Sequence, residues 1–200
     1  MIAIIDYGAG NLFNAQKAFQ HLGYDAVVTD DAKIIRDASG LVLPGVGAFP
    51  DAMENLKQRN FPQLLREEVK KGKPLVGICL GMQLLFDQSE EKGICDGLGL
   101  IHGRIRKINT TEKIPHMGWN QLTYHTPHPL FQGIPEGQYV YFVHSFCADV
   151  EEEKDLIAST WYGERITAAA AHENVMGMQY HPEKSSTVGL QMLKNFAQML

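Results

Sequence analysis

Lys73-Pro74-Leu75-Val76-Gly77-Ile78-Cys79-Leu80-Gly81-Met82-Gln83-Leu84-Leu85-Phe86 decides how the chain folds. Pro74 to Ile78 is a short apolar run with two β-branched residues, opened by Gly72 and Pro74, and reads as a buried strand. Leu80 to Phe86 has neither proline nor β-branched residues and suits a helix. Between them, Cys79 is flanked at two-residue spacing by Gly77 and Gly81. A Gly-x-Cys-x-Gly turn from strand to helix is the thiol form of a nucleophile elbow. Its glycines permit a sharp turn that leaves the middle side chain exposed at the tip. A helix starting just after Cys79 aims its positive end and free amides at the sulfur, which favours thiolate over thiol. The same stretch equally fits a cysteine packed as a small core residue in an α/β crossover.

Upstream, apolar strands alternate with helical patterns. Ile2 to Asp6 is a first strand, Tyr7-Gly8-Ala9-Gly10 a tight turn, and Asn11 a cap for the helix that follows. Leu12, Ala15, Phe19 and Leu22 share a face of that helix, and Gly23 ends it. A strand at Ala26–Thr29, a short helix at Ala32–Arg36 and a strand at Gly40–Leu43 complete a β-α-β-α-β series, the pattern of a parallel sheet covered on both faces. The functional loops of such a sheet lie at the carboxyl ends of its strands. There the third strand runs into Pro44-Gly45-Val46-Gly47-Ala48-Phe49-Pro50, whose prolines and glycines leave amides free for an anion or oxyanion, or simply make a turn into the next helix. Helices are expected at Asp51–Arg59 and Phe61–Lys71.

After Phe86 the pattern changes. Asp87 to Gly99 is polar and glycine-rich and reads as a loop. Leu100 to Tyr124 alternates with period two, as antiparallel hairpins do, and further strands fit Gln138–Phe142, Asp155–Ser159, Ile166–Ala171 and Val175–Gln179. The second half thus reads as an antiparallel extension of the parallel core. Ser186 to Met199 closes the chain as an amphipathic helix with Leu190, Leu193 and Ala197 on one face. No linker or repeat divides residues 1–200, so one domain is expected.

Composition narrows the function. A dispersed net charge of −5 argues against a nucleic-acid surface, and no apolar run approaches the roughly 20 residues of a membrane span. The start, Met1-Ile2-Ala3-Ile4-Ile5-Asp6, reads as a strand rather than a signal peptide. Cys79, Cys95 and Cys147 form no Cys-x-x-Cys pair, so neither a disulfide framework nor a cysteine zinc site is expected, and a cytoplasmic setting suits them. Neither a metal nor a cofactor is expected.

A cysteine nucleophile needs a base, usually histidine, and often a carboxylate to orient it. Among eight histidines one stands apart, in Gln179-Tyr180-His181-Pro182-Glu183, after a strand and before the last helix. Pro182 biases His181 towards extended backbone, so His181 and Glu183, two apart, can project together. A lone His-x-Glu arises by chance. With the elbow upstream and this strand–loop–helix setting, a Cys79–His181–Glu183 triad is the better reading.

Three separated motifs now resemble the class I, triad-type glutamine amidotransferases: Pro44-Gly45-Val46-Gly47, Gly77-Ile78-Cys79-Leu80-Gly81-Met82-Gln83 and His181-Pro182-Glu183. They stand in that family's order and span essentially the whole chain. The resemblance implies a flavodoxin-like α/β fold with a mostly parallel central sheet and flanking helices. It makes Cys79 the nucleophile on L-glutamine, His181 the general base and acid, and Glu183 its orienter. It places the oxyanion hole at the Leu80 amide and an amide of Val46–Gly47, and glutamine contacts at Gly45, Gln83, His144, Ser145 and Phe146. Within the class, Asp6-Tyr7-Gly8-Ala9-Gly10-Asn11-Leu12, His116-Met117-Gly118-Trp119-Asn120, Tyr139–Ser145 and Lys184-Ser185 look like the glutaminase subunits of imidazole glycerol phosphate synthases. That likeness implies a cyclase partner of (β/α)8-barrel fold in a heterodimer, taking the ammonia to make imidazole glycerol phosphate and AICAR in histidine biosynthesis. It also implies docking through Asn11, Asn14, Trp119, Asn120, Tyr141 and Lys184. The alternatives are other stand-alone class I glutaminases, a cysteine hydrolase with a similar elbow, and a non-catalytic regulatory subunit.

Overall fold

The computed structural model describes residues 1–200. The elements are β1 (Ile2–Ile5), α1 (Leu12–His21), β2 (Ala26–Thr29), α2 (Ala32–Asp37), β3 (Gly40–Gly45), α3 (Phe49–Gln58), α4 (Phe61–Lys70), β4 (Leu75–Cys79) and α5 (Leu80–Leu84) in the first half. The second half holds β5 (Phe86–Ser89), β6 (Cys95–Asp96), β7 (Ile101–Lys107), β8 (His116–Gln121), β9 (Thr123–Tyr124), β10 (Tyr139–His144), β11 (Phe146–Val150), β12 (Leu156–Trp161), β13 (Arg165–His172), β14 (Val175–Met178) and α6 (Ser186–Ala197).

An eight-stranded sheet in the order β2-β1-β3-β4-β14-β13-β12-β9 forms the centre. From β2 to β14 the strands are parallel; β13, β12 and β9 extend the sheet antiparallel. β1, β3, β4 and β14 are buried along their whole length, which is why they read as unbroken apolar runs. Successive side chains leave on opposite faces. Ile2, Ile4, Val42, Val76 and Ile78 pack with Phe19 of α1 and with Leu193 and Phe196 of α6. Ala3, Ile5, Leu41, Leu43 and Leu75 pack with Phe49, Leu56 and Leu65 of α3 and α4. The two layers of helices cover the centre of the sheet on both faces, and β4 ends there at Cys79.

Four expectations change. Asn11 precedes α1, but its side chain makes no capping hydrogen bond; Gly23, at φ +85°, does turn the chain out of that helix. Pro44 and Gly45 belong to β3, because the strand continues in register with β4 as far as Gly45 opposite Cys79. The helix after the elbow stops at Leu84, and Phe86–Ser89 is a strand, so Asp87–Gly99 is not all loop. Its polar residues are the half-exposed side of β5: Asp87 accepts from the Gly103 amide at 2.8 Å. Leu100–Tyr124 contains no hairpin of its own. β7 pairs with β11 and β5 in a four-stranded sheet, and β8 pairs with β10. Alternation reports one buried face and says nothing of which strand lies alongside.

Candidate active site

Cys79 is the last residue of β4 and takes φ +56° and ψ −114°, a conformation that costs a non-glycine residue on the order of 1–3 kcal/mol. The strain sits on the cysteine itself. Gly77 and Gly81 both lie outside the left-handed region, so they serve close packing rather than the turn. A Cβ on Gly81 would lie 1.7 Å from the Leu43 carbonyl oxygen, and one on Gly77 would lie 2.6 Å from that of Gly81. The spacing legible in the sequence therefore marks how tightly α5 seats on β3 and β4. It leaves the Cys79 side chain, 7% exposed, at the floor of a cleft of about 410 Å³.

His181 reaches that cleft from the other side. Its backbone is extended, as Pro182 requires, while Pro182–Lys184 winds into a short 3-10 turn. Through that turn, not through strand alternation, Glu183 comes back to accept a hydrogen bond from His181 Nδ1 at 2.8 Å. Both side chains are 3% exposed. The backbone is locked as well: the His181 amide donates to the Tyr141 carbonyl at 2.9 Å, and Ser185 Oγ donates to the His181 carbonyl at 2.6 Å. Burial acts to lower the proton affinity of His181. Attraction to the Cys79 sulfur and the Glu183 carboxylate outweighs it and raises the pKa to about 9. The other carboxylate oxygen, Glu183 Oε2, is buried without a hydrogen-bond partner.

Val46, Gly47, Leu80, Gln83, His144, Ser145 and Phe146 line the same cleft. Gly47 takes φ +104°, while Val46 stays outside the left-handed region and is 47% exposed. Gly45 does not line it. It lies behind the elbow, where a Cβ would meet the Tyr7 hydroxyl and the Gly81 amide nitrogen. Gln83 faces inward: its Nε2 donates to the Phe146 carbonyl at 3.0 Å and to Gln179 Oε1 at 2.9 Å. Gln179 in turn brings Nε2 to 4.0 Å from Cys79 Sγ. Sequence reasoning gave Gln179 no role, although it sits two residues before His181. It also passed over Glu91, the only carboxylate lining the cleft, which accepts from the Phe49 amide at 2.8 Å. Nothing in the polar run around Glu91 sets that residue apart.

The expected docking residues fall into two groups. Trp119 and Tyr141 face each other in the β8–β10 register with ring centroids 6.0 Å apart, Trp119 half exposed, which excludes it from the core. Asn120 neighbours Trp119, and Lys184 is exposed just beyond Glu183. Asn11 and Asn14 lie at the start of α1, Asn14 exposed.

Comparison with known proteins identifies the family and the fold. The family model "Glutamine amidotransferase class-I" matches residues 3–199. The imidazole glycerol phosphate synthase subunit HisH of Sulfurimonas denitrificans is 50% identical over 201 residues, covering 98% of this chain and 97% of the relative. That of Oceanobacillus iheyensis is 48% identical over 200 residues and covers all of both. Among solved structures, one titled as a glutamine amidotransferase superposes with a TM-score of 0.79 at 16% identity, over 100% of this chain and 98% of that one. A glutamine amidotransferase from Thermotoga maritima gives 0.65 at 17% identity, over 99% of this chain and 80% of that one. At such identities these two share the fold.

Proposed function

We propose, from the premise that this chain belongs to the class I glutamine amidotransferases and to their HisH branch, that Cys79, His181 and Glu183 carry out its glutaminase reaction. The chain is the glutaminase subunit of an imidazole glycerol phosphate synthase, an enzyme of histidine biosynthesis. The observation that carries the residue roles is the His181–Glu183 bond at 2.8 Å in the cleft that also holds Cys79 at its strained elbow.

Each step has a named group. With His181 held protonated and Glu183 fixing its Nδ1, the sulfur works as a thiolate. It attacks the side-chain amide carbon of L-glutamine and forms a tetrahedral oxyanion. The Leu80 amide and an amide of Val46–Gly47 receive that charge, each such donor being worth about 3–4 kcal/mol. His181 passes its proton to the leaving nitrogen, and ammonia departs from a thioester. Water, deprotonated by the same histidine, releases glutamate. Gln83, His144, Ser145 and Phe146 form the wall against the substrate, and Glu91 offers a carboxylate to its α-ammonium group.

The relatives' name, subunit, implies a second chain. We read it as the cyclase, a (β/α)8 barrel in a heterodimer, which uses the ammonia to form imidazole glycerol phosphate and AICAR. Asn11, Asn14, Trp119, Asn120, Tyr141 and Lys184 form the docking face. The 200 residues act as one glutamine amidotransferase domain. None of the helices is long and apolar enough to cross a membrane, and a cytoplasmic site suits a biosynthetic subunit. Cys79→Ala tests the scheme in the complex. Glutamine-dependent synthesis is lost while added ammonia still supports it; loss of both reactions would defeat the assignment.

A further inference from the structure

A line of side chains unused by the triad, the buried His144 and His116 and the half-buried Asn120, joins the cleft wall to the face that carries Trp119. His144 Nδ1 lies 2.8 Å from the Phe146 carbonyl oxygen, and His144 Nε2 lies 2.9 Å from His116 Nδ1. His116 Nε2 lies 2.9 Å from Asn120 Oδ1, and Asn120 Nδ2 donates to the Trp161 carbonyl at 3.1 Å. His116 is wholly buried, its ring stacked between Phe142 and Tyr162 at 4.8 and 4.0 Å. At the outer end Trp161 is 70% exposed.

These four contacts need four hydrogens, and the carbonyl at each end can only accept. Two neutral imidazoles supply one each and the Asn120 amide supplies one, which makes three. Burial keeps both rings neutral at physiological pH. It lowers His116, and it takes His144 to about 3, with His116 and His181 lowering it further against the bond to Phe146. The titratable groups around the pair are Tyr162 against His116, and His181, Cys79 and Glu91 in the cleft that His144 lines; no carboxylate hydrogen-bonds either ring. One contact must therefore go without a hydrogen.

Where it falls depends on Asn120. With its nitrogen on Trp161, Oδ1 calls for Nε2–H on His116, whose Nδ1 then accepts from Nε2–H of His144. His144 Nδ1 is left facing the Phe146 carbonyl bare. That carbonyl loses least, because Gln83 Nε2 already donates to it at 3.0 Å. If the amide turns over, every hydrogen reverses. The Nε2 proton of His144 passes to His116 Nδ1, His116 gives up its Nε2 proton to water, and His144 takes one from water at Nδ1. His144 then donates to Phe146, and the gap moves to the exposed Trp161 end.

We propose that Asn120, His116 and His144 form a directional relay, in which a donor brought to the Trp161 carbonyl by the docking subunit frees the Asn120 amide to turn inward and secures the glutamine-cleft wall through Phe146. His116 is its positioning residue. The relay rests on the reading of this face as the docking surface.

Nitrogen-15 NMR of histidine-labelled full chain reads the ring tautomers directly. In the isolated chain both His116 and His144 carry Nε2–H. Asn120→Leu deletes the two outer contacts, leaves two contacts for two hydrogens, and turns both rings to Nδ1–H; bound barrel subunit does the same to the unsubstituted chain. Asn120→Ala makes the same change should leucine fail to fold. Identical tautomers in the unsubstituted and Asn120 variant chains overturn the relay. KM for glutamine in the isolated Asn120 variant falls by about threefold as the wall gains its second donor, and a shifted tautomer with unchanged KM overturns the link to the cleft. His116→Phe keeps the stacked ring, has no nitrogens, and cancels the effect of the Asn120 change on KM. The tautomers need no turnover, so a chain without glutaminase activity defeats the functional reading and leaves them to decide the relay.

Discussion

Gly45 stands directly opposite Cys79 in the parallel β3–β4 register, and the strands meet that closely because Gly45 has no side chain. A Cβ there would lie 2.7 Å from the Tyr7 hydroxyl, 2.8 Å from the Gly81 amide nitrogen and 2.9 Å from Leu80 Cβ. Tyr7 cannot easily yield, since it is buried and its hydroxyl donates to the Pro44 carbonyl at 2.9 Å. Gly45→Ala is expected to push the first turn of α5 off β3. Overpacking of this kind costs about 1–3 kcal/mol of stability. Displacing the Leu80 amide from the developing oxyanion costs about 100-fold in kcat. Denaturant unfolding and glutaminase kinetics read the two separately, and an unchanged kcat would remove Leu80 from the oxyanion hole.

The triad makes a signed prediction about pH. His181 rises from an ordinary 6.5 to about 9 in the folded chain, since attraction to Cys79 and Glu183 outweighs burial. The stabilisation from its charge is thus complete below about 6.5 and is lost as pH climbs through 9. Activity has its alkaline limit at the same point, where no proton remains for the departing ammonia. Glu183→Gln keeps an acceptor for Nδ1 but removes the negative charge that helps His181 hold its proton. It moves the alkaline limb to lower pH and cuts kcat/KM by on the order of 10²–10⁴-fold. The pH–rate profile of the variant beside that of the unsubstituted chain decides it; an unmoved limb would mean that Glu183 does not orient His181.

The fold was legible wherever burial on both faces wrote itself into the sequence. β1, β3 and β4 are apolar runs, and the register that aligns Ile2, Gly40 and Ala26 needs only a parallel sheet with short crossovers. The elbow and His181-Pro182-Glu183 were legible because their chemistry demands particular residues at fixed spacing. What the sequence hid is contact between distant segments. β5 looks like a polar loop because Asp87 and Gln88 are only half-buried, and its partner β7 begins only at Ile101. Gln83 and Gln179 are buried amides 96 residues apart that satisfy one another, and neither neighbourhood betrays the other. The two glycines of the elbow were read for the right motif and the wrong reason: they permit close packing, and Cys79 itself carries the strained φ.

Gln179 gives a pair of substitutions with opposite signatures. Gln83 Nε2 donates to it at 2.9 Å, and Gln179 Nε2 approaches Cys79 Sγ at 4.0 Å. Gln179→Leu removes the acceptor and leaves a buried amide short of a partner, at a cost of about 1–3 kcal/mol in stability. Gln179→Glu keeps the acceptor but sets a carboxylate beside the sulfur, which disfavours the thiolate. The glutamate variant is therefore expected to be the less active, with Cys79 alkylated by iodoacetamide only at higher pH. Equal alkylation profiles would show that Gln179 does not influence the nucleophile.

Trp119 carries the last prediction. It is 50% exposed, and across the β8–β10 register it faces Tyr141, whose carbonyl accepts from the His181 amide at 2.9 Å and whose amide donates to Ser185 Oγ at 3.0 Å. A partner pressing on Trp119 and Tyr141 thus bears on the segment that holds the catalytic histidine. Half-exposed tryptophan adds little to the core, so Trp119→Ala should shift stability by no more than about 0.5 kcal/mol. At the centre of an interface the same truncation costs at least about 2 kcal/mol, or roughly 30-fold in Kd. Titration calorimetry against the barrel subunit, paired with thermal unfolding of the free variant, tests both figures at once. A lowered melting temperature with unaltered Kd would return Trp119 to a structural role and move the docking face away from Tyr141.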